Sequence, residues 1–564
     1  MKWQLAPQSN DIPYAEYPEI PTPVVRILWN RGLTTQVAID RFLHPEYSVD
    51  CLDPYLFRDM HKACDRIFAA RDQHQKVVVH GDYDADGVSA ATILHTVLKN
   101  LGVQVEVFLP HREKDGYGLN INTVKDLHAN GADLIITCDC GISNVEQVAL
   151  ANSLGMDVII TDHHQMGKVL PAAHAIIHPR VPGETYPFID LAGGGVAFKL
   201  AQGLIHDARS GWNEHEQETQ EKWLLDLVAI STVADMVSLT GENRALVRYG
   251  LMVLRKTKRI GLAALLSGAK LDPKQLTETS IGFQIAPRIN AAGRMDHANG
   301  AYFLMIEEDP RKADELALAL NEANTRRQKE TEITVREALA QKPDAEAPAL
   351  FFYNENWTLG LTGLVAGKLV RQFNRPCFVM GHDGDKVVGS GRSIPGIDLY
   401  QSIKQAEKIL LAFGGHNQAC GFRLPLEQLP TFQQIVSDYI GTNLATLDTE
   451  QKLSIDTTML FPDISWELLD FLALFPPFGI GNDQPLFETD DVIVISAQPV
   501  GKDLNHWKLV LEHQGRQLPA IGFDQMHVAL KPGDHIDIVY AAAINEWNGN
   551  RAIQLQLKDV KHHE

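Results

Sequence analysis

Four short β-branched runs, each carried on by a different helical or polar segment, lie within about ninety residues from Lys76 to His164. "KVVVH" precedes the helical "VSAATILHTVLKNLG", "QVEVFLP" precedes "INTVKDLHANG", and "ADLIITCD" precedes "ISNVEQVALANSLG"; "MDVIITDHH" closes the series. Parallel neighbours need a crossover connection, so strand-helix alternation of this kind predicts a parallel, doubly wound α/β sheet. The strand ends carry His80, Asp139, and then Asp162, His163 and His164. In open α/β sheets ligands bind beyond the carboxyl ends of the strands. Three separate strands therefore deliver carboxylates and imidazoles to one edge.

The first strand-to-helix turn, "HGDYDADG", places Asp82, Asp84 and Asp86 two residues apart ahead of Gly87. It begins like a calcium loop but does not continue as one. Counting from Asp82, position twelve is Ile93 rather than a bidentate glutamate, and a strand rather than a helix comes first. Alone, the turn reads equally as a solvated acidic loop. Farther on, Asp235 falls near the end of the apolar helical stretch "EKWLLDLVAISTVADMVSL". There a helix cap or a salt bridge would serve, because an unpaired buried carboxylate is costly.

His80, Asp84, Asp86, Asp139, His163 and Asp235 drawn together would repel one another. Two carboxylates about 4 Å apart cost roughly 4 kcal/mol at an effective dielectric near 20. Cations or protons must neutralise them. Mixed carboxylate and imidazole donors suit Mn²⁺ or Mg²⁺, and the lack of thiolates argues against structural zinc. Cys138 and Cys140 flank Asp139, but strand alternation is expected to turn them away from it. Two ions a few ångströms apart are a device for in-line phosphoryl chemistry, with Asp139 the expected bridge. Hydrolysis of a phosphate ester or anhydride is the reaction class, and spacing alone does not choose the substrate.

At 564 residues the chain needs several domains. Asp309 to about Lys342 reads as one long helix without a sustained heptad, a strut between two lobes. "IAPRINAAGRMD" carries Arg288 and Arg294, either of which suits a phosphate. "KVVGSGRSI" and "LLAFGGHNQACGFRL" place Ser390, Arg392 and His416 among glycines, as phosphate-binding loops and ordinary turns both do. The last hundred or so residues alternate as strands, with an Asn548-Gly549 hairpin signal and Trp507, Phe523 and Trp547 as base-stacking or core aromatics. A five-stranded barrel of the oligonucleotide-binding kind fits them. The net charge of -20 argues against a simple nucleic-acid coat but not against a nuclease whose carboxylates hold cations. Six cysteines without a CxxC pair, no apolar h-region at the start and no run long enough for a membrane span lead us to expect a cytoplasmic protein.

"DYDADG", "TCDCGI", "TDHH" and "STVADMV" resemble, in order and spacing, the motifs of the DHH phosphoesterase superfamily; "SGRSI" and "FGGHNQACG" resemble its companion DHHA1 domain. With "DGYGLN", "PRINAAGR" and the terminal β region, the pattern is similar to the RecJ family of single-strand-specific exonucleases from about residue 50 onward. The resemblance implies 1–60 as an N-terminal helical segment, 61–300 as the DHH domain, 301–342 as a connecting helix, 343–445 as DHHA1 and 446–564 as an OB-like barrel. It implies 5′→3′ hydrolysis of single-stranded DNA from a 5′ end in repair and recombination, with two Mn²⁺ or Mg²⁺ ions. A helicase and a single-strand-binding protein are the implied partners. His80, Asp84, Asp86, Asp139, His163 and Asp235 would be ligands, with Asp82 and Asp162 acting on or behind them. Asp84, Asp139, His163 and His164 would carry the chemistry. His164, Arg288, Arg294, Ser390, Arg392 and His416 would hold substrate. DHH relatives that cleave short oligonucleotides, cyclic dinucleotides or pyrophosphate are the rival reading, and a scaffold that has lost its ligands is another.

Overall fold

The β-branched runs form the strands that their pattern requires. In the structure, a computed structural model, residues 2–7, 11–112, 114–445, 447, 450–502, 504–526, 528–547 and 550–563 are described, the side chains of 547 and 550 excepted. Two units divide the chain: residues 53–237 with 249–449, and residues 1–52 with 238–248 and 450–564.

In the larger unit, β1 (Lys76–His80), β2 (Gln104–Phe108), β3 (Leu134–Cys138), β4 (Asp157–Thr161) and β5 (Ala175–Ile177) lie in the order β2-β1-β3-β4-β5. Every pairing is parallel. The three-residue β5 is too short to announce itself in the sequence. β3 is buried at every position, as the interior of a sheet covered on both faces should be. Helices α1 (Ala85–Asn100), α2 (Ile121–Ala129) and α3 (Val145–Ser153) supply crossovers. α4 (Gly193–His206) and α5 (Leu225–Ala234) pack on α1. The single apolar helix expected before Asp235 is interrupted: a helix over Glu214–Lys222 stops, and α5 starts afresh at Leu225. A short π-helix over Ile281–Ile285 leads into α6 (Ala286–Met295).

α7 (Pro310–Ala340) starts where Asp309 accepts the Arg311 N–H and Pro310 needs no partner for its nitrogen. Its 31 residues span about 46 Å at 1.5 Å each. Its C-terminal turns enter the core of the next sheet, Val335, Ala338 and Leu339 packing with Leu350, Phe352 and Val365. That sheet holds β6 (Leu350–Tyr353), β7 (Cys377–Asp383), β8 (Lys386–Arg392), β9 (Ala412–His416) and β10 (Ala419–Pro425) in the order β9-β10-β8-β7-β6. Only β6 and β7 run parallel. α8 (Thr362–Phe373) lies against β7 and β8.

The smaller unit contains a closed barrel. β11 (Phe487–Val500), β12 (His506–His513), β13 (Arg516–Gly522), β14 (His535–Trp547) and β15 (Asn550–His562) run in the order β11-β12-β13-β15-β14, and β14 pairs back onto β11. Trp507 is a core residue, its indole N–H donating to the Val528 carbonyl at 3.1 Å, so it is not free to stack on a base. Phe523 is exposed. Asn548, Gly549 and the Trp547 side chain lie outside the described residues. A strand at Lys2–Leu5, absent from the sequence expectation, pairs in parallel with Lys452–Ile455. Val24, Ile27 and Leu28 of the N-terminal helices share one core with Phe461, Leu468 and the barrel. Among the described residues no helix is long and apolar enough to cross a membrane.

Candidate active site

Each acidic residue reaches the sheet edge by its own local device. β1 ends at His80, and the chain turns through Asp82 and Asp84 into α1. Asp84 caps that helix, its Oδ1 accepting the N–H groups of Asp86 (3.0 Å) and Gly87 (3.1 Å). The next backbone donor, Ala85 N–H, goes to Asn290 Oδ1 of α6 at 2.7 Å. β3 stops one residue earlier than alternation suggested. Asp139 follows it in the left-handed region at φ 59°, a conformation uncommon outside glycine and asparagine. That twist breaks the alternation, and Cys140 Sγ ends 3.7 Å from His80 Nδ1. Both flanking cysteines are fully buried.

The carboxylates and imidazoles converge. His163 Nε2 lies 3.1 Å from Asp139 Oδ1, 3.6 Å from Asp235 Oδ2 and 3.8 Å from Asp86 Oδ2. Donor atoms of Asp86, His163 and Asp235 fall within 4.8 Å of one another, as do those of Asp82, Asp84 and Asp139, and those of Asp139, His163 and His164. Asp139 and His163 each belong to two groups. Asp235 caps the C-terminal end of α5 and keeps a quarter of its side chain exposed, rather than being fully enclosed.

Burial and mutual repulsion govern the charges. Both push the Asp139 and Asp82 carboxyls well above their usual range, burial first. Asp235 is raised to about 9 by burial and then by Asp86 and Asp84. Burial lowers His80 and His163 to about 4, which leaves both neutral, the form in which imidazole donates a lone pair. His80 Nε2 and Asp82 Oδ1 are buried, with no hydrogen-bond partner among the described residues. Such orphans are expensive. Two unpaired donor atoms beside crowded carboxylates are what a site for hard divalent cations supplies, so the residues fit such ions.

His164 behaves differently. Burial opposes its charge, but the hydrogen bond and charge of Asp162 (2.8 Å to Nδ1) prevail and hold it up at about 9. Asp162, which burial alone would raise, is brought down to about 2 by His164 and by the Ile142 N–H. Tyr117 Oη sits 3.0 Å from His164 Nδ1 and donates to the Asp139 carbonyl at 3.2 Å. His164 is thus an imidazolium beside neutral His163.

The sequence reading passed over the group that holds Asp86. Gly193 N–H donates to Asp86 Oδ2 (2.8 Å), Gly194 N–H to Oδ1 (2.7 Å), and Ser231 Oγ to Oδ1 (2.6 Å). These two N–H groups begin α4, whose positive end favours a carboxylate. A Cβ on Gly193 would lie 2.6 Å from Asp139 Cγ, and one on Gly194 2.6 Å from Ser231 Cβ. The signal was visible as the run "GGG" at 193–195.

The expected phosphate contacts separate into two places. Arg294 is not an open surface group; it donates to the Gly360 carbonyl (3.2 Å), and burial with the Arg112 and Arg392 charges lowers it to about 9. Ser390 Oγ accepts from Thr362 Oγ1 at 3.0 Å. Arg392 ends β8 and donates to the Gly391 carbonyl, and a Cβ on Gly363 would crowd it at 2.9 Å. His416 ends β9, where burial and the Arg392 charge lower its basicity, with His164 adding to the effect. Arg288 lies elsewhere on α6, donating to Asn321 Oδ1 of α7 at 2.7 Å.

Known proteins share this arrangement. The DHH family N-terminal domain matches residues 76–232, the DHHA1 domain residues 346–442 and the RecJ OB domain residues 455–559. The single-stranded-DNA-specific exonuclease RecJ of Bacillus subtilis is 36% identical, over 99% of this chain and 71% of its own length. The chain belongs to the RecJ family. The RecJ exonuclease of Escherichia coli is 32% identical over 96% of both chains. Among solved structures, Thermus thermophilus RecJ in complex with Mn²⁺ is similar with a TM-score of 0.85 and 28% identity, over 100% of this chain and 80% of that one. The RecJ complex with Mg²⁺ from the same organism aligns with a TM-score of 0.79.

Proposed function

We propose that this RecJ-family chain hydrolyses single-stranded DNA from a 5′ end, releasing nucleotides with two Mn²⁺ or Mg²⁺ ions. The observation that carries the reading is Asp139, common to two donor groups, with the Arg294 and Arg392 charges acting across the same region. Asp82, Asp84 and Asp139 would hold one ion and Asp86, His163 and Asp235 the other, Asp139 serving both and His80 offering its unpartnered Nε2. Bound there, the ions supply Lewis-acid polarisation of a phosphodiester and easier deprotonation of water. The protein's part is positioning. Asp162 and Tyr117 engage His164 Nδ1, which leaves Nε2 to donate a proton or a hydrogen bond to a phosphate oxygen. Ser390, Arg392 and Arg294, with His416 beside them, would receive the terminal phosphate, a guanidinium fork matching it in a bidentate way.

The division into an N-terminal segment (1–60), DHH domain (61–300), connecting helix (301–342), DHHA1 domain (343–445) and terminal barrel (446–564) is part of this reading. So are a cytoplasmic role in DNA repair and recombination and cooperation with a helicase and a single-strand-binding protein. Similarity to exonucleases over nearly all of the chain, with Asp82, Asp84, Asp86, Asp139, His163 and Asp235 in donor groups, favours this reading over a scaffold.

An oligonucleotide with a 5′ phosphate, labelled at either end and incubated with Mn²⁺, tests the polarity. Early release of the 5′ label as a mononucleotide is expected; early release from the 3′ end alone would overturn it.

Raised carboxyl values also fix the sign of a pH effect. A carboxyl whose folded pKa exceeds its unfolded value stabilises the fold below the unfolded value, and that contribution disappears as pH rises through the folded one. For Asp235 the window runs from the ordinary aspartate value of 3.8 to about 9. The Tm increment given by saturating Mg²⁺ should therefore grow between about pH 6 and about pH 8, with protons released on binding. A constant increment across that range, measured by thermal melting, would contradict the assignment of these carboxylates.

A further inference from the structure

Arg327 lies on α7, away from every motif that the sequence singled out. Its Nε and Nη2 donate to Asn324 Oδ1 at 3.2 and 3.0 Å. Arg288 reaches the same turn of the helix from α6, donating through Nε to Asn321 Oδ1 at 2.7 Å and through Nη1 to the Gln284 carbonyl. Asn321 and Asn324 are three residues apart, so they are neighbours on one helical face. The Asn321 amide is itself fixed, since its Nδ2 donates to the Ala317 carbonyl at 2.9 Å, and Asn324 is buried.

The choice of asparagine matters. A carboxylate in either place would hold the guanidinium equally well and cancel its charge. A neutral amide orients it and leaves the charge whole, with further N–H donors unspent. Among the described residues neither arginine has a carboxylate within salt-bridge distance, in a chain with 71 Asp and Glu against 51 Lys and Arg. Each is partly buried, and Arg288 counts among the charges that depress Arg327. Two like charges held together and left unneutralised are arranged for an anion.

The pair neighbours the group around Arg294, since the Arg327 charge is among those that lower Arg294, but it is held by its own asparagines on α7. Arg288 precedes Arg294 by six residues in α6, a separation of about 9 Å along the axis. Phosphates of a stacked strand advance roughly 3.4 Å per nucleotide, so that offset matches a step of about two to three nucleotides along a strand.

We propose that Arg288 and Arg327, oriented by Asn321 and Asn324, form a second phosphate-binding station that grips the DNA strand at least two nucleotides inward of its terminal phosphate. The inference rests on the reading of the chain as a single-strand exonuclease and adds where the strand is held. This station selects for length: a substrate too short to reach it gains nothing from it.

The experiment compares wild type, Arg327→Ala and Arg327→Lys on a 5′-phosphorylated 20-mer and on a 5′-phosphorylated dinucleotide, over a range of salt. Wild-type digestion of the 20-mer tests the underlying reading; the variants test the station. Arg327→Ala should raise KM for the 20-mer about tenfold with kcat little changed, and flatten the slope of log KM against log salt by about 0.7, one single-strand contact. KM for the dinucleotide should not move. Arg327→Lys keeps a positive charge and should recover the salt slope. Equal losses on both substrates, a salt slope unchanged in Arg327→Ala, or equal damage from Ala and Lys would overturn the proposal and make Arg327 a structural residue.

Discussion

Asp139→Asn is expected to reduce turnover by roughly 10⁴-fold, the scale seen when one member of a catalytic unit is removed, while the fold stays intact. Asparagine is the informative replacement. Asp139 occupies a left-handed backbone conformation at φ 59°, which asparagine tolerates and alanine does not. Its amide keeps the shape but lacks the charge that two cations would share. The same change removes one of the buried carboxylates whose mutual repulsion, after burial, raises Asp139 and its neighbours. Without added metal the variant should therefore melt higher, by about 2–4 °C if the relief is roughly 1 kcal/mol. Added Mn²⁺ should stabilise it less than it does wild type. A variant that retained more than about a tenth of the wild-type rate would remove Asp139 from the role assigned to it.

Gly193→Ala should also be damaging, although it adds one methyl group and touches no charge. That methyl would sit 2.6 Å from Asp139 Cγ, closer than carbon atoms approach. Either the carboxylate moves or α4 withdraws and takes the Gly193 N–H away from Asp86. Both outcomes disturb a donor set on opposite sides, and misplacement by about 1 Å is enough to cost roughly 10²-fold. Weaker Mn²⁺ binding, read by calorimetry, should accompany the lost rate. Gly195→Ala is the control in the same helix. Its new methyl meets Leu191 at 3.4 Å, an ordinary contact, and alanine is a better helix former than glycine by up to roughly 1 kcal/mol. That variant should keep its activity and gain a little stability. Similar losses in both would point to the general fragility of α4 rather than to the approach of Gly193 to Asp139.

The contrast between these two sites explains what the sequence disclosed. Asp139 and His163 were legible because the β-strand rhythm put their strand ends on one edge, whereas Asp235, at a helix end where a cap would also serve, took its role from the resemblance of "STVADMV" to a family motif. Gly193 and Ser231 were not, because their contribution is an absent side chain and a hydroxyl whose partner, Asp86, is 145 residues from Ser231. The parallel sheet followed from local periodicity; the pairing of Lys2–Leu5 with Lys452–Ile455 had no local signal, since the two strands are far apart in sequence. Trp507 illustrates the same limit within the barrel. An aromatic on an alternating strand can face either way, and the core contacts decide it inward. Arg294 carried the right charge in the right motif, yet its burial against the Gly360 carbonyl depends on a packing partner that no spacing reveals.

α7 has a mechanical meaning beyond its length. Midway along it the Asn321–Asn324 turn orients two guanidiniums, and its final turns are part of the hydrophobic centre of the mixed sheet. There is no pivot between those duties, because the helix is continuous from Pro310 to Ala340. Tension on a strand gripped at that turn would be passed, like force along a lever, straight to the sheet bearing Ser390 and Arg392.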